Sequence, residues 1–183
     1  VYLTSSQDAI TPDIKNALAD LPGVVAISTT REVDTPAPFS VIAYDVPAPA
    51  WAGFDWIAQS VVADGANSHR RAFDAGDGVL VSQPLANKYD WVVGQRMSLQ
   101  TPQGTQALPI LGIYRDYVSE RGTFAISAAL HNRLWADANF DSLVLYTDGM
   151  AVAAIDQQVS AWLEAYQFTT PDEIQSQPFA VFD

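Results

Sequence analysis

The chain has 183 residues, 49% hydrophobic and 16% charged, with nine Lys and Arg against 21 Asp and Glu for a net charge of −12. That length and apolar content suit one domain or two closely packed lobes, while the charge makes nucleic acid and anionic lipid poor partners, because phosphates require clustered cations. Cysteine is absent, which removes disulfides, thiolate nucleophiles and Cys-rich zinc sites together.

Val1 to Thr4 reads as a strand. Thr11-Pro12-Asp13 then supplies an N-cap, a first-turn proline and a carboxylate at the positive end of a helix, and Ile14, Ala17, Leu18 and Leu21 follow at helical spacing. Pro22-Gly23 stops that helix, the β-branched run Val24 to Thr30 is the next strand, and Phe39 to Val46 is a third after Pro36-Ala37-Pro38. The section from Pro47 to Gly78 opens on a Pro-Ala-Pro turn and the aromatics Trp51, Phe54 and Trp56. It predicts a short helix from Asp55 to Ala63 and a polar loop from Asp64 to Asp77.

Signals agree best between Gly78 and Tyr117. Val79-Leu80-Val81 is a short strand, and Ser82 is the N-cap of a helix over Pro84 to Tyr89. Past Gly94, Met97, Leu99 and Thr101 alternate with Arg96, Ser98 and Gln100; then come Thr101-Pro102-Gln103-Gly104 and a second run through Leu108, Ile110, Leu111 and Ile113. This is a β-hairpin, with Gly104 in a backbone conformation that side chains resist. Val118 to Gly122 is a turn, Thr123 to Ile126 a strand, and Ser127 the cap of a helix carrying Leu130, Leu134 and Trp135, so strand, serine and helix occur twice in the same arrangement. Leu143 to Thr147 is a buried strand. Val152, Ile155, Val159, Trp162, Leu163 and Tyr166 form the apolar stripe of a long helix, followed by a short strand at Gln167 to Thr169 and a capping box at Thr170 to Glu173.

Little in the chain points to chemistry. His69 and His131 are the only histidines; either would need Ser82 and an aspartate for a triad, but no Gly-x-Ser-x-Gly elbow is present and Ser82 has a capping role. Asp64, Asp74 and Asp77 lack the alternating ligands of a calcium loop and read as a solvated acidic turn. Asp116, Glu120 and Arg121 read as surface ion pairs. No phosphate loop is present, so ATP hydrolysis by this chain is not expected, and neither is a cofactor, a metal or an enzymatic activity. The candidate surface for a partner or substrate is Trp51, Phe54 and Trp56, with a plug between lobes as the competing reading.

The ordered series G-V-L-V-S, P-L-A, V-G-Q-R-M-S-L, T-P-Q-G and G-I-Y-R-D-Y, continued through Leu130 to Trp135 and Leu143 to Gly149, resembles the large extracytoplasmic domain of FtsX-like, MacB-type ABC transporter permeases. The resemblance covers about half the chain. It implies an α+β fold in which a split porter-like βαββ…βαβ lobe, residues 1–46 and 140–170, is interrupted by an inserted β-rich lobe, residues 47–139. It also implies that residues 171–183 begin a helix leading toward a membrane span, so that the chain is a fragment without its flanking membrane helices. No run here reaches the roughly 20 apolar residues of a span, and Val1 does not open a signal peptide.

The function so implied is non-catalytic: to receive substrate or a partner outside the cell membrane, on its periplasmic or extracellular side, and to relay motion driven by ATP in the cytoplasm. The implied partners are a separate ATPase subunit reached through the membrane helices, a second permease copy, and a lipoprotein, lipid or peptide substrate or an adaptor protein. The alternative is a free-standing secreted or periplasmic binding module. The sequence does not name the cargo, the permease subfamily or the oligomeric state.

Overall fold

A computed structural model describes residues 2–4, 10–60, 68–116, 122–148 and 157–161. Among these, the chain forms β1 (Tyr2–Thr4), α1 (Pro12–Ala19), β2 (Val24–Glu32), β3 (Ser40–Asp45), α2 (Ala48–Ala52), β4 (Trp56–Gln59), α3 (Ser68–Ala75), β5 (Val79–Ser82), α4 (Gln83–Tyr89), β6 (Arg96–Thr101), β7 (Gly104–Tyr114), β8 (Thr123–Ser127), α5 (Ala128–Trp135) and β9 (Ser142–Thr147). The fold is α+β, and it divides into two compact units, Val1–Thr29 with Asn139–Asp183, and Thr30–Ala138. The first division falls inside β2, whereas the sequence places a lobe boundary after Val46.

In the first unit the strands lie in the order β1, β9, β2, with β1 antiparallel to β9 and Leu3 opposite Leu143. The Thr11 hydroxyl accepts the Ile14 N–H at 3.4 Å and Pro12 occupies the first turn of α1, as the capping signals predict. Ile10 and Phe140 exchange backbone hydrogen bonds at 2.8 Å in both directions. Their side chains join Leu18, Ile27, Leu143, Leu145 and Val159 in one apolar core, onto which Leu3, Ile14, Leu21 and Val24 pack. Residues 157–161 are helical and fall within the expected long helix. The rest of that helix, the strand at Gln167–Thr169 and the capping box at Thr170–Glu173 lie outside the described residues.

In the second unit a mixed sheet runs β3, β8, β5, β7, β4. β3 is parallel to β8, β5 antiparallel to β8 and parallel to β7, and β4 and β6 are both antiparallel to β7. All four residues of β5 are buried, so its apolar run reflects cover on both faces rather than a strand alternating toward solvent. Val79, Val81, Ile110, Ile113, Phe124 and Ile126 share one core with Leu85 of α4 and Leu130 and Leu134 of α5. Leu80, Leu111, Tyr114 and Ala125 share another with Trp51 and Phe73. In β7, Leu111 and Tyr114 reach the same core although three residues apart. The β5–β7 register jumps there, from Val79 opposite Ile110 to Leu80 opposite Gly112, and the extra residue of this bulge resets the alternation.

Both strand–serine–helix units form, but the two serines act differently. Ser127 caps α5, its hydroxyl accepting the Leu130 N–H at 3.2 Å. Ser82 stands at the N-cap position of α4 yet makes no capping bond; its buried hydroxyl instead accepts the Thr123 N–H at 2.7 Å, tying the start of β8 to the end of β5. The hairpin forms as expected, with Thr101 opposite Gly104 and Gly104 at φ +98°.

Three local expectations in the poorly patterned middle are corrected. The Pro-Ala-Pro turn is the start of α2, because Pro49 in a first turn has no intrahelical donor to lose. The expected helix over Asp55–Ala63 is strand β4 at Trp56–Gln59, held by pairing with Gly112, Ile113 and Tyr114 that no local pattern announces. The expected loop over Asp64–Asp77 contains helix α3, which buries Phe73 completely but has too few apolar residues to show a period.

Candidate functional site

Trp51, Phe54 and Trp56 come together in the second unit. The N–H of Trp51 donates to Pro47 O at 2.9 Å to close the first turn of α2, and the N–H of Phe54 donates to Trp51 O at 3.3 Å. This compact exit brings Phe54 back over the ring of Trp51, at 5.7 Å between centroids. Trp51 lies 5.0 Å from Trp56 and 5.8 Å from Phe73. Phe54 stacks on Trp56 at 5.1 Å and meets the Tyr114 ring edge-on at 5.0 Å. Such pairs add roughly 0.5–1.5 kcal/mol each beyond the area they bury.

The three aromatics are not equivalent. Trp51 is 8% exposed and lies at the buried end of the cluster, whereas Phe54 and Trp56 are half-buried. Trp56 fits against β7 because residue 112 is glycine: a Cβ there would stand 2.8 Å from Trp56 Cζ3. The bulge in β4 follows Trp56, skips Ile57 in the pairing with β7, and leaves Ile57 40% exposed beside the cluster. Arg115 Nη1 and Asp55 Oδ2 form a 2.9 Å ion pair with both side chains 45% exposed, a rim contact of little energetic weight.

Below the cluster the Tyr114 phenol is buried, and desolvation pushes its pKa above the ordinary range. Tyr44 and Asp116 raise it further, and a hydrogen bond with Thr123 opposes them. The Thr123 hydroxyl also donates to Asp116 Oδ2 at 3.1 Å. The arrangement is an aromatic cluster with an exposed apolar neighbour, Ile57, and an exposed ion pair, Arg115 with Asp55.

None of the remaining candidates is among the rings of this cluster. His69, in α3, bonds through Nε2 to the Ser60 carbonyl. His131 is buried in α5 and stacks on Trp135 at 5.3 Å. Ser82 is committed to Thr123. Asp74 lies in α3 rather than in a turn; its carboxyl pKa is raised by desolvation, with Arg70 opposing and Asp45 adding. Asp64, Glu120 and Arg121 lie outside the described residues. Among the described residues no three His, Cys, Asp or Glu side chains gather as a metal site, and no helix is long and apolar enough to cross a membrane.

A second aromatic group escaped the sequence reading. Phe39, Tyr89, Trp91 and Phe124 pack together, with Tyr89 stacked on Trp91 at 4.9 Å and Phe39 on Phe124 at 5.5 Å. Phe39 and Phe124 are far in the chain from Tyr89 and Trp91, so the Tyr89-x-Trp91 spacing is the only local signal that could have pointed to it.

No protein-family model matches the chain. Over 93 residues, 49% of the chain, it is 29% identical to an uncharacterized ABC transporter permease protein of Mycobacterium tuberculosis, of which it covers 11%. In structure it is similar to the periplasmic region of MacB from Actinobacillus actinomycetemcomitans, with a TM-score of 0.66 and 6% identity over 88% of this chain and 77% of that one. It is similar as well to the extracellular domain of the ABC-type transporter YknZ from Gram-positive bacteria, with a TM-score of 0.60 and 10% identity over 92% of this chain and 94% of that one. The chain therefore has the fold of the extracytoplasmic domains of MacB-type ABC transporter permeases, and about half of its sequence is similar to an ABC transporter permease.

Proposed function

We propose that this chain is the extracytoplasmic domain of an ABC transporter permease, non-catalytic itself, which receives a substrate or partner outside the membrane and relays motion driven by a separate ATPase subunit. The observation that carries this reading is the likeness of nearly the whole chain to two solved domains, one periplasmic and one extracellular, with the permease similarity of its sequence beside it. In this reading residues 47–139 are a lobe inserted into a porter-like one formed by residues 1–46 and 140–170, the full protein sits in the cell membrane with this domain on its outer side, and a second permease copy completes the transporter. Half-buried Phe54 and Trp56, packed on buried Trp51, form the docking surface for the partner or cargo.

The test is made on the full-length protein that contains this chain, purified with its ATPase subunit. Replacing Phe54 and Trp56 together by serine is expected to leave the basal ATPase rate unchanged and to abolish its stimulation by cargo. Stimulation equal to the wild type's would remove these residues from the reading. A full-length protein that stays in the soluble fraction and lacks apolar segments of about 20 residues would remove the permease assignment itself.

A further inference from the structure

The chain passes between its two compact units twice, at Thr29–Thr30 inside β2 and at Ala138–Asn139 after α5. Arg31 is the second residue of the central unit and Asp137 its last but one. These two meet across 106 positions of sequence: Arg31 Nε donates to Asp137 Oδ2 at 3.0 Å, and Nη2 lies 2.8 Å from the same oxygen. Their side chains are 28% and 25% exposed, against 45% for both members of the Arg115–Asp55 pair. Water and salt therefore screen this charge-assisted pair less. It fastens the two crossings to each other at their inner ends.

Two unfavourable features stand beside the same crossings. Ala136, immediately before Asp137, has φ +55°, a left-handed conformation that a Cβ resists. Asp90 ends α4 in the same way, but aspartate is among the residues that tolerate this conformation, and alanine is not. Thr29, the last residue before the first crossing, is 1% exposed, and its hydroxyl has no hydrogen-bond partner among the described residues. Buried hydroxyls are bonded as a rule, and one that is not requires a reason. Strained positions persist only where their surroundings enforce them, and they gather in segments that switch. We propose that Arg31 and Asp137 form a clasp that holds the two crossings in a strained arrangement. Opening it releases a second arrangement, in which the Thr29 hydroxyl is bonded and residue 136 leaves the left-handed region. The clasp rests on these residues and not on the permease reading; where that reading holds, it sets when motion passes from one unit to the other.

Pulsed electron–electron double resonance on the 183-residue chain tests this, with one spin label in each unit. The chain has no cysteine, and Val25 and Val92, 58% and 61% exposed, accept Val25→Cys and Val92→Cys. This labelled parent is expected to show one distance. Asp137→Asn keeps the shape of the side chain and removes its charge, and is expected to add a second distance in about a tenth of the molecules or more. Thr29→Val takes away the hydroxyl that finds a partner in the second arrangement, and Ala136→Gly removes the resistance of the Cβ in the first. Either one, added to Asp137→Asn, is expected to shrink the second component several-fold. A single distance retained by Asp137→Asn overturns the proposal, as does a second component that either added change leaves untouched. A parent already divided between two distances overturns it too. So does an Asp137→Asn chain that is unfolded by circular dichroism, because the pair would then hold the fold and not the crossings. Measured on this chain alone, none of these results decides the permease reading.

Discussion

Gly112 shows what a single missing methyl group permits. The Trp56 indole lies across it, and Gly112→Ala would force the ring outward because a Cβ would stand 2.8 Å from Cζ3. Stability is expected to fall by on the order of 1–3 kcal/mol, as for other overpacked sites, together with a red shift in tryptophan emission; an unchanged denaturation midpoint and spectrum would contradict this packing. Gly104 is different: nothing lies near it, and its φ of +98° alone resists a side chain. Gly104→Val is expected to cost about 1–3 kcal/mol through backbone strain, read as a lower melting temperature. Tyr114 makes a pH prediction. Its folded pKa is raised by burial, so its contribution is fully present below the unfolded pKa of about 10 and is lost as pH rises beyond it. Above that pH the slope is up to about 1.4 kcal/mol per pH unit. Tyr114→Phe keeps the ring and should flatten the decline in urea midpoint between neutral and strongly alkaline pH; an equally steep decline would show that other groups cause it. The raised pKa has no sequence signature, because the burial that causes it and the nearness of Tyr44 are both products of the fold.

At the scale of elements, legibility followed the locality of the signal. Helix α1, the hairpin and the two strand–serine–helix units carry their instructions within a few residues: Thr11-Pro12, Thr101 to Gly104, Ser127 with Leu130. β4 and α3 do not. β4 exists because β7 offers Gly112, Ile113 and Tyr114 as partners, and α3 is held through one fully buried ring, Phe73, in a segment otherwise rich in polar residues. Ser82 lies between these cases, since its position was legible and its partner was not. The two serines therefore separate in experiment. Ser127→Ala removes a helix cap and is expected to cost about 1 kcal/mol. Ser82→Ala strands the buried N–H of Thr123 and is expected to cost about 1–3 kcal/mol. Equal and negligible losses in urea unfolding would show that the Ser82 to Thr123 bond holds nothing. The candidate site was legible only as a cluster of aromatics. That Trp51 is buried while Phe54 and Trp56 stay half-buried depends on contacts with Phe73 and Tyr114, which are distant in sequence.

For the whole molecule, the α+β class and the permease resemblance were available from the order of short motifs between Gly78 and Gly149, and the fold agrees with both. The division of the chain was less visible. The contact units part inside β2, between Thr29 and Thr30, in a continuous β-branched run without Gly or Pro to mark a boundary. The central claim, that this domain lies outside the membrane, is tested most directly by sidedness. The chain has no cysteine, and Val92, 61% exposed, offers a site for one. With Val92→Cys introduced into the full-length protein, and any cysteines elsewhere in it replaced by serine, intact cells are treated with a membrane-impermeant maleimide, after opening of the outer membrane where there is one. The domain is expected to label as fully as it does after lysis. Labelling that appears only when the cytoplasmic membrane is broken would contradict the account.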